Sequence, residues 1–294
     1  MSATKRLVVC GGNGFLGSRI CKNAVQRGWD VTSISRSGAP KWDAVTSSAT
    51  PPSWSHKVAW ERGDILRPAT YAPLLKGADF VVHSMGILLE ADYKGVLRGQ
   101  ESPIAGLRKA FAGGSRPGNP LERGVGVGDD SDDDIRPPET REQLTYENMN
   151  RDSAITLANE AARENASAFV YISAAGGAPV LPARYLSTKR EAEATIAAEF
   201  PRMRNIFVRP PFLYDSSRPI TMPMAAMTGL GAVFNGVTGG IFGNLLGAGG
   251  VKPLKVDVVA EAVVQALSDE TVRGPVEVQQ IEELANKAWR GTML

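Results

Sequence analysis

Residues Arg6–Cys10 form a short apolar run without polar alternation, which predicts a parallel strand buried on both faces. Asp30–Ser35, Val58–Glu61 and Phe80–His83 read as the second, third and fourth strands, the last entered through the turn Gly77-Ala78-Asp79. Between the first two runs, Phe15 to Arg27 places Leu16, Ile20, Ala24 and Val25 on one face and exits at Gly28, which predicts a helix. A second helix is expected from Thr145 to about Glu164, with Asn150, Ala154, Leu157, Ala158 and Ala161 sharing a face. Ala168–Ser173 reads as a fifth strand, Arg184–Glu199 as a helix and Asn205–Arg209 as a sixth strand. Val256–Leu267 reads as a further helix and Pro275–Val278 as a short strand. Strands alternating with helices predict right-handed βαβ units, hence an α/β fold of the Rossmann type with a doubly wound parallel sheet.

Two stretches break the rhythm. Residues 93–141 hold a Gly/Pro cluster (Gly113 to Gly118) and the acidic run Asp129 to Asp134, a composition that cannot bury a core and reads as a partly disordered insertion. Consecutive aspartates of this kind are solvated, so no metal site is expected. Between Arg218 and Lys252 there is no charge, yet glycines recur among Met, Leu, Phe and Ile, which argues against a spanning helix. The expected organisation is a nucleotide-binding domain over 1–215 and a small C-terminal substrate-binding subdomain over 216–294. Its stretch between Arg218 and Lys252 is read either as a lid over the substrate site that also touches the membrane surface or as the core of that subdomain, and 256–294 as packing back on the nucleotide-binding core.

Composition narrows the class. Of the 294 residues, 43% are hydrophobic and 22% charged, ordinary for a globular chain, and a formal charge of +2 is too weak for a nucleic-acid partner. Two cysteines, Cys10 and Cys21, fall inside predicted core elements and read as buried thiols in a reducing compartment. No cleavable signal peptide is visible, but Lys5, Arg6, Arg19, Lys22 and Arg27 precede the first acidic residue, Asp30, a start compatible with mitochondrial import.

The turn Gly11-Gly12-Asn13-Gly14-Phe15-Leu16-Gly17 follows a strand and opens a helix, the context that gives a Gly-x-x-Gly-x-x-Gly motif its meaning. Gly11 permits the tight turn, Gly14 lets backbone approach a pyrophosphate, and Gly17 allows close helix–strand packing. The amides around Asn13, Phe15 and Leu16, at the positive end of the helix, face the phosphates. At the end of the second strand, where an NAD site carries Asp or Glu, stands Ser35-Arg36-Ser37. A guanidinium there suits a 2′-phosphate, so NADP(H) is the expected cofactor; the alternative is that Arg36 stacks on adenine. Asp64 and Ile65 of Gly63-Asp64-Ile65 are placed beside the adenine, and Asp64 alternatively caps the following helix.

Tyr185 and Lys189, four apart on a predicted helix, share a face, with Ser173 at the end of the fifth strand. A lysine ammonium near a phenol lowers its pKa towards working pH, making Tyr185 a general acid/base, and Ser173 can hydrogen-bond the reacting carbonyl oxygen. His83 is read as a core residue at a strand end.

The glycine turn, Ser173, Tyr185 with Lys189, and Arg209-Pro210-Pro211 together resemble the short-chain dehydrogenase/reductase superfamily, in its extended or atypical branch. The resemblance covers nearly the whole chain apart from the insertion. Val81 to Glu90, Thr145 to Asn150 and Tyr185 to Glu193 further resemble fungal mitochondrial reductase-like proteins of the coenzyme Q biosynthetic complex, relatives of the NADPH-binding accessory subunit of respiratory complex I. The resemblance implies that Tyr185 carries the proton, that Lys189 also binds the nicotinamide ribose, that Ser173 orients substrate and that Asn150 supports a proton relay. It implies that Ser84, Met85 and Gly86, and Pro210 and Phe212, line the cofactor, although His83-Ser84-Met85-Gly86 departs from the usual Asn-Ala-Gly sequence. It also implies either an NADP(H)-dependent oxidoreductase acting on a hydrophobic, quinone-like or polyprenylated substrate or a non-catalytic, NADPH-stabilised subunit of a membrane-associated mitochondrial complex, with other subunits as partners and a place on the matrix side of the inner membrane.

Overall fold

The computed structural model describes residues 4–46, 48–86, 145–176, 183–215, 252–291 and 293. The expected insertion at 93–141 and the uncharged stretch up to residue 251 lie outside the described residues.

Seven strands form one parallel sheet: β1 (Arg6–Cys10), β2 (Asp30–Ser35), β3 (Val58–Arg62), β4 (Phe80–His83), β5 (Ala168–Ile172), β6 (Arg204–Val208) and β9 (Gly274–Val276), in the order β3-β2-β1-β4-β5-β6-β9. The fold is the doubly wound Rossmann type. A two-stranded parallel pair, β7 (Leu213–Tyr214) with β8 (Leu254–Lys255), stands apart from it.

Alternation along the central strands sends side chains into two apolar layers, while the edge strand β3 is largely exposed. Leu7, Val9, Val31, Val82, Val170 and Val208 point to one layer. It is covered by helix α1 (Phe15–Gln26) through Ile20 and Ala24, by α5 (Val256–Ser268) through Val259 and Val263, and by α6 (Val278–Gly291) through Ile281 and Leu284. Val8, Cys10, Val81, Phe169, Tyr171 and Phe207 point to the other, where α3 (Ser153–Arg163) and α4 (Ala183–Glu199) supply Ile155, Leu157, Ala192 and Ile196. A one-turn helix, α2 (Trp42–Val45), is tied to α1 where buried Arg19 donates to the Val45 carbonyl at 2.7 Å and to Asp215 Oδ2 at 2.6 Å. Cys10 and Cys21 are buried free thiols, and burial pushes both upwards in pKa.

Two differences from the sequence pattern have physical reasons. The helix expected from Thr145 begins as a π-helical segment, Glu147–Asp152, before α3. The widened turn presents the Asn150 carbonyl to the Tyr171 hydroxyl, which donates to it. The last strand ends at Val276 because Val278 opens α6, whose buried positions Ile281, Leu284, Ala285 and Ala288 repeat at helical spacing. Pro275, which has no N–H to give, is accommodated because β9 is the sheet's edge.

Candidate functional site

The chain reverses direction across the sheet between β1 and β4, and the crevice outside the carboxyl ends of strands at such a switch point is where this architecture takes its ligand. Gly11 leaves β1 at φ +90°, and a Cβ there would lie 2.7 Å from Met85 Cγ and 2.8 Å from the Ser84 carbonyl oxygen. At Gly17 a Cβ would stand 2.1 Å from the Gly11 carbonyl oxygen, so the helix can approach the turn this closely only as glycine. The Gly14 amide donates to that carbonyl at 2.9 Å, and Gly14 is the N-cap of α1. Among the described residues no side chain caps this end and no acidic residue lies in the first turn, which leaves a cradle fitted to a pyrophosphate.

At the adenosine end, Asn13 Nδ2 donates to Ser37 Oγ at 2.8 Å, bracing the loop that carries Arg36. Parallel pairing sets Ser35 against Arg62, and Arg62 Nε donates to the Arg36 carbonyl at 3.2 Å. A second guanidinium therefore stands beside Arg36, a residue the sequence reading did not single out. Asp64 does not cap the following helix, Pro68–Thr70, whose N-cap is Arg67; its Oδ1 closes a local turn by accepting from the Leu66 amide at 3.1 Å, and its own amide donates to Thr70 Oγ1 at 2.9 Å. Ile65 is buried in the second apolar layer.

At the other end Ser84, Met85 and Gly86 leave β4, with the Ser84 amide bonded to the Cys10 carbonyl at 2.9 Å. Gly86 sits at φ +152°, and a Cβ on it would lie 2.8 Å from Asn150 Oδ1 and 3.5 Å from Lys189 Nζ. Lys189 Nζ lies 5.7 Å from the Tyr185 ring centroid and 5.0 Å from that of Tyr171, and it donates to the Ile172 carbonyl at 2.9 Å. Gly86, Asn150, Tyr185 and Lys189 thus converge on one point. Two ion pairs hold the π-helical segment to α4 on either side of it, Arg184 with Glu147 at 2.7 Å and Arg151 with Glu191 at 2.8 Å. Tyr146 packs edge-on to Tyr185, with centroids 5.9 Å apart.

Protonation departs from the expectation. Burial pushes the Tyr185 phenol up to about 12, against a downward pull from Arg190. Burial brings the Lys189 ammonium down to about 7, with Glu193 opposing and Arg190 adding to the fall. Desolvation outweighs the charge effect of Arg190 on the phenol. Ser173 is buried, its amide donates to the Val208 carbonyl at 2.8 Å, and its Oγ accepts from Arg190 Nη1 at 2.9 Å. The Pro210 carbonyl accepts from the Ala175 amide at 2.9 Å and that of Phe212 from the Leu254 amide at 3.0 Å, which sets both residues beyond the end of β6.

His83 is a core residue: fully buried, with Nε2 2.9 Å from Ser153 Oγ, its pKa brought down to about 3 by burial. Tyr171, Arg190 and Arg62 are the site residues that local motifs did not show. Among the described residues there is no His/Cys/Asp/Glu cluster fit for a metal, and no helix long and apolar enough to cross a membrane.

Fold and site together define an extended short-chain dehydrogenase/reductase. Residues 7–103 match the sequence pattern of the NAD dependent epimerase/dehydratase family, and the chain belongs to that family, whose cofactor is a nicotinamide dinucleotide. It is 37% identical to MIOREX complex component 2 of Saccharomyces cerevisiae, over 72% of this chain and 74% of that protein. An uncharacterised Arabidopsis thaliana protein described as chloroplastic is 26% identical over 97% of this chain and 78% of its own length. Among solved structures, Bordetella bronchiseptica WbmH in complex with NAD+ aligns with a TM-score of 0.54 at 16% identity, over 99% of this chain and 83% of its own. UDP-glucuronic acid 4-epimerase from Bacillus cereus in complex with NAD aligns with a TM-score of 0.54 at 14% identity, over 93% and 78%. Both show a shared fold.

Proposed function

We propose that this protein is an NADP(H)-dependent oxidoreductase of mitochondrial coenzyme Q biosynthesis, acting on a hydrophobic, quinone-like or polyprenylated substrate. The observation that carries the reading is the convergence of Tyr185, Lys189, Asn150 and Gly86 beyond the ends of β4 and β5, with Ser173 at the end of β5. A fold that bound nucleotide for structure alone has no need of that set.

Bound at the switch point, a reduced nicotinamide supplies hydride. The chain's own groups do the rest. Ser173 Oγ–H hydrogen-bonds the substrate carbonyl oxygen, and Tyr185 Oη gives that oxygen its proton. Lys189 Nζ, held by the Ile172 carbonyl, lies beside the phenol, and Asn150 closes the inner wall. The pair Arg36 and Arg62 selects the 2′-phosphate. The resemblance to coenzyme Q proteins supports a site on the matrix side of the inner membrane, with peripheral membrane contact and other subunits of that complex as partners.

A second reading, a non-catalytic subunit stabilised by NADPH, is favoured by the yeast relative's name as a complex component. Purified protein mixed with NADPH and a panel of short-chain benzoquinones separates the two. Quinone-dependent loss of NADPH absorbance supports the oxidoreductase; tight NADPH binding without turnover supports the subunit.

A further inference from the structure

Arg190 follows Lys189 on α4, and its guanidinium turns back to the end of β5. Nη1 donates to Ser173 Oγ at 2.9 Å and to Glu193 Oε1 at 2.6 Å, while Nη2 donates to the Ala174 carbonyl at 2.6 Å. Glu193, itself buried, also accepts from Arg209 Nε at 3.2 and 3.1 Å, and Arg209 Nη1 reaches Glu277 Oε1 at 2.6 Å. A continuous chain of charged hydrogen bonds therefore runs from the start of α6 to the hydroxyl of Ser173.

That contact settles what Ser173 can do. A hydroxyl that accepts from a guanidinium has a lone pair engaged by a cation, so its own hydrogen turns to an acceptor on the other side. The two arms of the fork fix Ser173 and the next carbonyl together, a task for which a lysine lacks the geometry.

We propose that Arg190 is a positioning residue for this reaction: its fork sets Ser173 as the hydrogen-bond donor to the substrate oxygen and fixes the guanidinium charge at the end of β5, within the site that holds Tyr185. The inference rests on the oxidoreductase reading of the site. Burial brings the neighbouring Lys189 ammonium down to about 7, whereas a guanidinium stays charged throughout the working range. Lys189 Nζ stands 5.7 Å from the Tyr185 ring and Tyr146, beside the Glu147–Arg184 pair, packs edge-on to it, while the Tyr171 phenol on β5 and the Arg190 guanidinium on its own helix are coupled to it through charge. Of these, Arg190 is the one whose charge pulls the phenol down.

The test places 3,5-difluorotyrosine at position 185 of the full chain and follows its ionisation by fluorine NMR, alongside NADPH oxidation with a short-chain benzoquinone. Arg190→Gln raises the fluorotyrosine pKa by about one pH unit, a tenfold change in ionisation. The same variant lowers kcat about tenfold with NADPH affinity unchanged, and adds no further loss on a Ser173→Ala background. Arg190→Lys keeps the ionisation and still loses kcat, because the fork is gone. An unchanged ionisation in folded Arg190→Gln, or full additivity with Ser173→Ala, overturns the proposal. If Arg190→Gln does not fold, a wild-type kcat in Arg190→Lys overturns it. If the wild type oxidises no NADPH with any quinone, the oxidoreductase reading fails, and the fluorotyrosine shift alone decides whether Arg190 sets the charge at Tyr185.

Discussion

On the proposed reading, Arg36 and Arg62 together make the cofactor choice a matter of two side chains. A charge-assisted hydrogen bond contributes about 1.5–3 kcal/mol, or roughly ten- to a hundredfold in affinity. NADPH is expected to bind at least tenfold more tightly than NADH, and Arg36→Ala to erase most of the difference, by calorimetric titration of both. Arg62→Ala is expected to erase a smaller part, since Arg62 also braces the Arg36 carbonyl. Equal affinities in the unaltered protein would remove the NADP assignment. Arg36 was visible in sequence because the end of the second strand is a known reading position for the 2′-oxygen. Arg62 was not, because only the pairing of β2 with β3 brings it alongside.

The elements explain why the rest of the site was partly legible. Gly11, Gly14 and Gly17 lie on one turn and Tyr185 and Lys189 on one helix, so spacing alone exposes them. Tyr171, Asn150 and Arg190 meet across β5, the π-helical segment and α4, and no local pattern encodes that meeting. The β1 and α1 boundaries follow from apolar runs and glycine exits, whereas α6 was missed although Ile281, Leu284, Ala285 and Ala288 carry its period. Pro275 and Val276 just before it read as a strand running on to Val278. The turn between β1 and α1 also sets an expected failure. Gly17→Ala puts a methyl against the Gly11 carbonyl oxygen, a backbone atom that cannot yield, and overpacking of this kind costs about 1–3 kcal/mol. Gly17→Ala is expected to lower the urea midpoint accordingly and to weaken NADPH binding; an unchanged midpoint with unchanged binding would contradict the packing account.

For the molecule as a whole, the buried titratable groups set an acid limit. His83 is held at about 3, below the ordinary histidine value of 6.5, so the unfolded chain binds a proton that the folded chain refuses between those pH values. Its stabilising contribution is complete above pH 6.5 and is lost as pH falls towards 3, at up to about 1.4 kcal/mol per pH unit. Lys189, brought down to about 7 from 10.5, acts in the same direction across a higher window, with stability rising between those values. His83→Phe keeps a ring against Tyr171, and Ser153 Oγ retains its bond to the Met149 carbonyl. Urea unfolding between pH 6.5 and 4 is therefore expected to be less pH-dependent in His83→Phe than in the unaltered protein. Identical slopes would mean that His83 is not the proton-sensitive group.

The central claim is that the assembled Tyr185–Lys189–Ser173 site transfers a proton in a reduction driven by NADPH. Comparing NADPH oxidation by the unaltered protein and by Tyr185→Phe, with the same short-chain benzoquinone, tests it most directly. Removing the phenol removes proton transfer, so the rate is expected to fall by roughly 10²–10⁴-fold while NADPH affinity stays within a few-fold. Equal rates in the two proteins, at equal NADPH occupancy, would contradict it.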